Sequence, residues 1–295
     1  MTTLLTRENR LFILATQGRR LSSAVAAIGV VLVLLVVMIA TQVAARLVLR
    51  PMFPGQVESV ADPIAEIIGF MSIFAGLWAW LRLSTGRPFW TLGFESQGVL
   101  RHIITGGLIA GVMVTVMAGI VAISGATLAP GAWQQTGFTA LGIALFLLMV
   151  NVVQSSAEEA LFRGWLLPVI GSRYRPWIGV LVSSGLFSLA HALNAGFAWL
   201  PLLNLFLFGL FAAVYSLAEG GLWGVCAWHA VWNWTQGRLL GFPVSGGEVN
   251  YGLLVSARAT GPKLITGGDF GPDGGLAATM VLLIAIGIVA KRSRR

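Results

Sequence analysis

Two adjacent glutamates, an arginine, two histidines and an asparagine stand in otherwise apolar stretches: Glu158, Glu159 and Arg163, then His191, then His229 and Asn233. A charged side chain at the centre of a membrane helix costs at least about 2.5–3.5 kcal/mol, so a chain that keeps several there keeps them for a purpose. Glu159 and Arg163 are four apart on one helix face, where the guanidinium can neutralise that carboxylate. Glu158 is turned about 100° away, and its own i±4 neighbours, Gln154 and Phe162, carry no charge to offer it. Phe187 and His191 share a face, as do His229 and Asn233, so each helix can aim its polar group at a common interior point. One carboxylate, two imidazoles and one amide from three helices suffice for acid–base hydrolysis. The bland reading stands beside this one, because His, Asn and Ser also join helices in lipid simply by hydrogen bonding. On that reading Glu159–Arg163 is a structural ion pair and Phe187 is core.

The elements that must position these groups are membrane helices. The chain is 57% hydrophobic and only 10% charged, with a mean hydropathy of +0.85; soluble domains carry about 25% charged residues. A span of roughly 30 Å takes about 20 apolar residues. Eight segments qualify: 21–48, 63–83, 102–124, 137–167, 177–193, 200–218, 222–239 and 276–290. The expected fold is all-α, a polytopic transmembrane bundle of about eight helices, the fourth long enough to tilt or project. The parts are a basic tail (1–20), N-terminal helices (21–135), a core that holds the polar residues (136–240), a Gly-rich loop (241–275) and a final helix with a basic tail (276–295). Gly107 and Gly111 suit a close helix contact, and His102, beside Arg101, reads as interfacial.

The net charge of +8 does not point to nucleic acid, because the basic residues sit at helix ends and in the tails. Eight spans put both termini on one side. That side then holds Arg7, Arg10, Arg19, Arg20, Arg82, Arg87, Arg101, Arg163, Arg173, Arg175, Lys291, Arg292, Arg294 and Arg295, against Arg46, Arg50, Arg238, Arg258 and Lys263 on the other. The positive-inside rule makes the first side cytoplasmic, with the chamber toward it, since Glu158–Arg163 ends the fourth segment. The expected location is a multi-pass protein of a bacterial inner membrane. Cys226, the single cysteine, permits no internal disulfide.

In order on successive apolar segments, Glu158-Glu159-x-x-x-Arg163, Phe187-x-x-x-His191 and His229-x-x-x-Asn233 resemble the CPBP family of intramembrane proteases, also called the CAAX protease and bacteriocin-processing (Abi) family. The resemblance covers roughly 158–233, with no departure at those positions. Outside it, Arg87-Pro88-Phe89-Trp90-Thr91-Leu92-Gly93-Phe94 looks like a pre-core segment of bacterial members, and Thr266-Gly267-Gly268-Asp269-Phe270-Gly271-Pro272 like a late-loop pattern. The resemblance implies hydrolysis of a peptide bond in a membrane-associated substrate, CAAX-like prenylated or bacteriocin-type, with membrane lipids as the other partner.

Glu158, desolvated among apolar neighbours, suits a general base that takes a proton from water near neutral pH. His191 would orient that water or pass the proton to the leaving amine. His229 and Asn233 would donate to the oxyanion, about 2.7–4 kcal/mol per donor. A second reading makes Glu158, His191 and His229 a His₂Glu zinc site. Glu158 is then consumed as a ligand and the base must be Glu159, which the spacing hands to Arg163; the cofactor-free reading avoids that conflict. The competing class is a transporter, channel or immunity protein lined by the same groups. No inverted repeat or broken mid-membrane helix points to transport.

Overall fold

The computed structural model describes residues 4–19, 21–53, 60–130, 137–247, 253, 255–259 and 261–292. Arg20, Arg294, Arg295 and parts of the Gly-rich loop lie outside them. The chain is a helical bundle: a short α1 (Arg10–Thr16), then α2 (Ala24–Leu49), α3 (Ala61–Trp80), α4 (Val99–Ile123), α5 (Gly137–Glu159), α6 (Leu167–Arg173), α7 (Pro176–Ala190), α8 (Trp199–Glu219), α9 (Trp223–Asn233), a one-turn α10 (Lys263–Thr266) and α11 (Leu276–Arg292). All eight segments expected from hydropathy are helical. Five helical stretches are long and apolar enough to cross a membrane by length and composition: 24–52, 61–85, 99–123, 138–173 and 199–219. The remaining three, 176–190, 223–239 and 276–292, are shorter. A small antiparallel ribbon accompanies the helices, β1 (Ala126–Pro130) pairing with β2 (Val255–Ala259).

In α2 only 17% of the apolar window is buried, against 78% in α8. α2 is therefore a wall facing lipid and α8 a central post. The α4–α9 crossing is close because it is made of backbone: a Cβ on Gly106 would lie 2.0 Å from the carbonyl oxygen of Gly224. The small-residue contact expected at Gly107 and Gly111 thus falls at Gly106 instead. Gly111 has no neighbour within 4 Å of such an atom.

Two of the three helices that carry the candidate residues widen directly after them. The helix of Glu158 and Glu159 passes through a π turn at Ala160–Leu166 before α6, and that of His229 and Asn233 through one at Trp234–Leu239. A π turn admits an extra residue and leaves backbone groups short of partners. Pro168 explains the first, since a proline clashes with the carbonyl four residues back and lacks a donor. The Phe162 carbonyl accepts both the Leu167 amide and, at 2.9 Å, the Ser183 hydroxyl on α7, which ties α7 to the turn. Helix therefore continues for 36 residues, 138–173. Glu158 stands mid-way along it rather than at its inner end, which corrects the expected depth of the chamber.

The helix ends sort into two groups. At one end, Arg7 donates to the Tyr174 carbonyl, Asn9 to the Leu217 carbonyl and Trp223 to the Glu95 carbonyl, gathering α1 and three connections. At the other lie the ribbon, the 191–198 connection and the loop before α11, joined where Asn194 donates to the Ser245 carbonyl at 2.6 Å. These are called below the basic end and the loop end.

Candidate active site

Glu158, His191, His229 and Asn233 all line one cavity of about 380 Å³. Its floor is polar and its walls are apolar and aromatic, with Phe162, Phe187, Phe208 and Trp232 among them. Glu158 is 7% exposed, and its Oε2 has no hydrogen-bond partner among the described residues. That oxygen faces Nε2 of His229 at 3.9 Å. Gln154, one turn back on α5, also engages the Glu158 side chain. A buried carboxylate left with spare acceptor capacity beside a cavity can accept from a bound water or substrate.

Glu159 behaves differently from its neighbour. It is fully buried, and its Oε1 accepts from Arg163 Nη1 at 3.1 Å and from His229 Nδ1 at 2.8 Å. The expected i,i+4 pair is present, with a second task that spacing alone does not reveal. Because Nδ1 of His229 donates to Glu159, Nε2 is the ring nitrogen presented to the cavity. It accepts when the ring carries one proton and donates when it carries two. Arg163, wholly buried, also lies over the Phe187 ring, 4.4 Å from its centroid. Phe187 is thus the partner of a buried cation as well as core. Its ring is 4.8 Å from that of His191, whose Nδ1 meets the Phe187 carbonyl at 2.9 Å and whose Nε2 is left for the cavity.

Residues that the sequence reading passed over complete the site. Phe208 on α8 packs against His229 in a T-shaped pair, centroids 4.8 Å apart, and fixes the imidazole plane. Asn204, a lone amide in an apolar helix, donates to the Gly275 carbonyl at 2.8 Å and accepts from Thr279 at 2.6 Å, holding α11 to α8 beside the cavity. A buried polar residue in such a helix was the available signal. The rim is built by the Gly-rich loop: Val244, Ser245, Gly246, Gly247 and Asp273 all line the cavity. Asp273 Oδ2 accepts from the Ser245 amide at 2.8 Å and its hydroxyl at 2.7 Å, and Oδ1 accepts from Gln236 at 3.1 Å. Ser245 is held at φ 48°, a left-handed conformation uncommon outside glycine, so these bonds support a strained rim residue.

The two flanking motifs lie outside the cavity. Arg87 is buried and clasps Thr91, its Nη2 reaching that carbonyl at 3.1 Å. Burial lowers its guanidinium to about 10. The Gly93 carbonyl then accepts the Leu222 amide at 3.0 Å, so the pre-core segment sets the start of α9. Thr266–Pro272 forms the turns that deliver Asp273 to the rim. His102 points Nδ1 at the buried Glu219 at 3.6 Å and stands away from the site. As for a metal, no three His, Cys, Asp or Glu side chains among the described residues form a cluster able to hold one. The set Glu158, His191 and His229 therefore does not fit a three-ligand zinc site as arranged, and no step below runs through zinc.

Residues 140–235 match the family model described as Type II CAAX prenyl endopeptidase Rce1-like. Over 82 residues, 27% of this chain, the sequence is 40% identical to an uncharacterized 24.3 kDa protein of Escherichia coli. The matched stretch spans 37% of that relative's length.

Proposed function

We propose, from the premise that residues 140–235 belong to the CPBP family of CAAX proteases, that this multi-pass membrane protein is an intramembrane endopeptidase acting on a membrane-associated polypeptide. The observation that carries the reading is the lining of one cavity by Glu158, His191, His229 and Asn233, with Glu158 Oε2 unpartnered among the described residues. Glu158 takes a proton from water, and the hydroxide formed attacks the peptide carbonyl carbon. The amide of Asn233 donates to the resulting oxyanion, joined by Nε2 of His229 whenever that nitrogen carries a proton, with Glu159 bracing the ring. Glu158 or His191 returns the proton to the leaving amine as the C–N bond breaks. Glu159 and Arg163 are positioning residues, acting through the imidazole.

A transporter would favour polar groups strung toward both faces of the membrane. Here the floor of the cavity is backed toward the basic end by fully buried Leu161, Trp165 and Leu166, which supports a chamber closed at that end. The test is Glu158→Gln in purified protein with a cleavable membrane-tethered peptide. Hydrolysis is expected to fall at least about 100-fold, as for loss of a general base, with the fold retained. Undiminished cleavage by that variant would remove Glu158 from the chemistry. Strong chelation of the wild type is expected to leave the rate unchanged; a loss restored by zinc would return the His₂Glu reading.

A further inference from the structure

We infer that the cavity opens on the face of the membrane opposite the basic end, so that its substrate is a polypeptide tethered and displayed on the non-cytoplasmic side. The substrate part of this inference rests on the peptidase reading above; the orientation does not.

Two independent observations meet here. The first is where the cavity lies along each helix. On α7 its lining is Phe187 and Ala190, at the last turn; on α8 it is Asn204, Leu205 and Phe208, in the half nearest Trp199; on α11 it is Leu282, in the half nearest Leu276. These positions lie in the loop-end halves of their helices, while α2 and α3 line the cavity near their middles through Leu35, Met38 and Phe70. The rim itself is loop-end structure: Leu193, 96% exposed, and Gly247 stand at the mouth beside Ser245. Ile39 on α2, which is 53% exposed and ten residues from that helix's loop-end terminus at Leu49, lines the cavity's side. Glu158 and His229 form the deep floor, and the packed residues behind them separate it from the basic end.

The second observation is charge. Ten described arginines and lysines stand at the basic end: Arg7, Arg10 and Arg19 before α2, Arg82, Arg87 and Arg101 between α3 and the first turn of α4, Arg173 and Arg175 at the α6–α7 corner, and Lys291 and Arg292 closing α11. The loop end has Arg46, Arg50, Arg238, Arg258 and Lys263. Bias of this size in short connections sets orientation and places the richer side in the cytoplasm. The mouth then faces the other compartment. A substrate reaching Glu158 would approach from the outer leaflet or the space beyond it, its membrane anchor beside α2 and its scissile bond passing under the 244–247 rim. The class that fits is an exported, membrane-held peptide or protein; a cytosolic protein with a lipidated C-terminus would arrive at the wrong face.

The test uses the full chain in intact cells, in a Cys226→Ala background that removes the buried native thiol. Leu193→Cys reports the mouth and Tyr174→Cys, at a side chain 49% exposed, reports the basic end. A membrane-impermeant charged maleimide is expected to label the first without permeabilisation and the second only after the membrane is disrupted. Should Leu193→Cys stay silent even in disrupted membranes, Lys263→Cys, whose parent side chain is 80% exposed at the loop end, gives the same reading. Labelling of the mouth only after disruption overturns the orientation. Matched tethered reporters, one displayed on each face, then separate the two claims. Glu158-dependent cleavage of the far-face reporter alone is expected. Glu158-dependent cleavage confined to the cytoplasmic reporter overturns the substrate inference and leaves the peptidase standing. Glu158-independent loss of both reporters, with labelling as expected, defeats the peptidase reading and the substrate class with it, not the orientation.

Discussion

The interior of the bundle and its basic end each hold an arginine–carboxylate pair, in environments that could hardly differ more. Arg10 Nε meets Glu95 Oε2 at 2.8 Å and joins α1 to the connection before α4, with side chains 46% and 31% exposed. The hydrogen bond from Arg10 holds the Glu95 carboxyl below its usual range. Water nevertheless competes for both groups, and exposed pairs of this kind are worth about 0.2–1 kcal/mol. Arg163 and Glu159 make a longer contact, 3.1 Å, between side chains with no exposure at all. Neither has water to fall back on, and the same carboxylate oxygen also carries His229. The shorter bond is the weaker device, since its alternative partner is solvent. The interior pair fixes an imidazole, whereas the outer pair tethers a helix.

The sharpest way to break this contrast is to remove one interior partner. Arg163→Met leaves Glu159 buried with His229 alone, and stability measured by denaturation in detergent is expected to fall by about 3–5 kcal/mol. Arg163→Met combined with Glu159→Gln is expected to recover much of that loss without recovering activity, because the carboxylate stranded by loss of its guanidinium is then neutral. Recovery of hydrolysis in the double variant would show that His229 needs no brace.

A smaller effect belongs to the rim. Burial raises the Asp273 carboxyl to about 6, from a reference of 3.8, against the pull of Ser245 and Gln236. The folded chain therefore takes up this proton before the unfolded chain does, and as pH falls from about 6 toward 4 the group's contribution to stability rises. Asp273→Asn is expected to flatten that part of the stability–pH profile. An unchanged profile would place the titrating group elsewhere. The smallest effect is expected from Arg10→Gln, a loss of about 0.2–1 kcal/mol that high salt erases. A loss as large as that of Arg163→Met would mean that exposure is a poor guide to what an ion pair contributes in this bundle.

The contrast between regions also marks how far the residues could be read in advance. Apolar runs about 20 residues long dictate helices in lipid because no other unpaired backbone is tolerated there, so the bundle was legible throughout. Glu159 and Arg163 were legible as a pair because i,i+4 geometry is a local property. Glu158, His191, His229 and Asn233 stood out as costly residues in apolar helices, and one cavity brings them together. The depth of Glu158 was misread because a π turn before Pro168 carries the helix on to Arg173, where hydropathy alone suggested an end.

What tertiary structure alone decided is which groups serve each other across helices. His229 to Glu159 joins residues 70 apart, and Asp273 to Ser245 joins two points of a glycine-rich loop with no periodicity to read. Local sequence sets dihedral preferences and faces within a helix, and those determined the elements and the identity of the polar groups. Contacts between elements follow from crossing angles, close approaches such as Gly106 on Gly224 and the path of a loop. These depend on the packing of the whole bundle, and they determined which imidazole nitrogen faces the cavity and toward which end it opens.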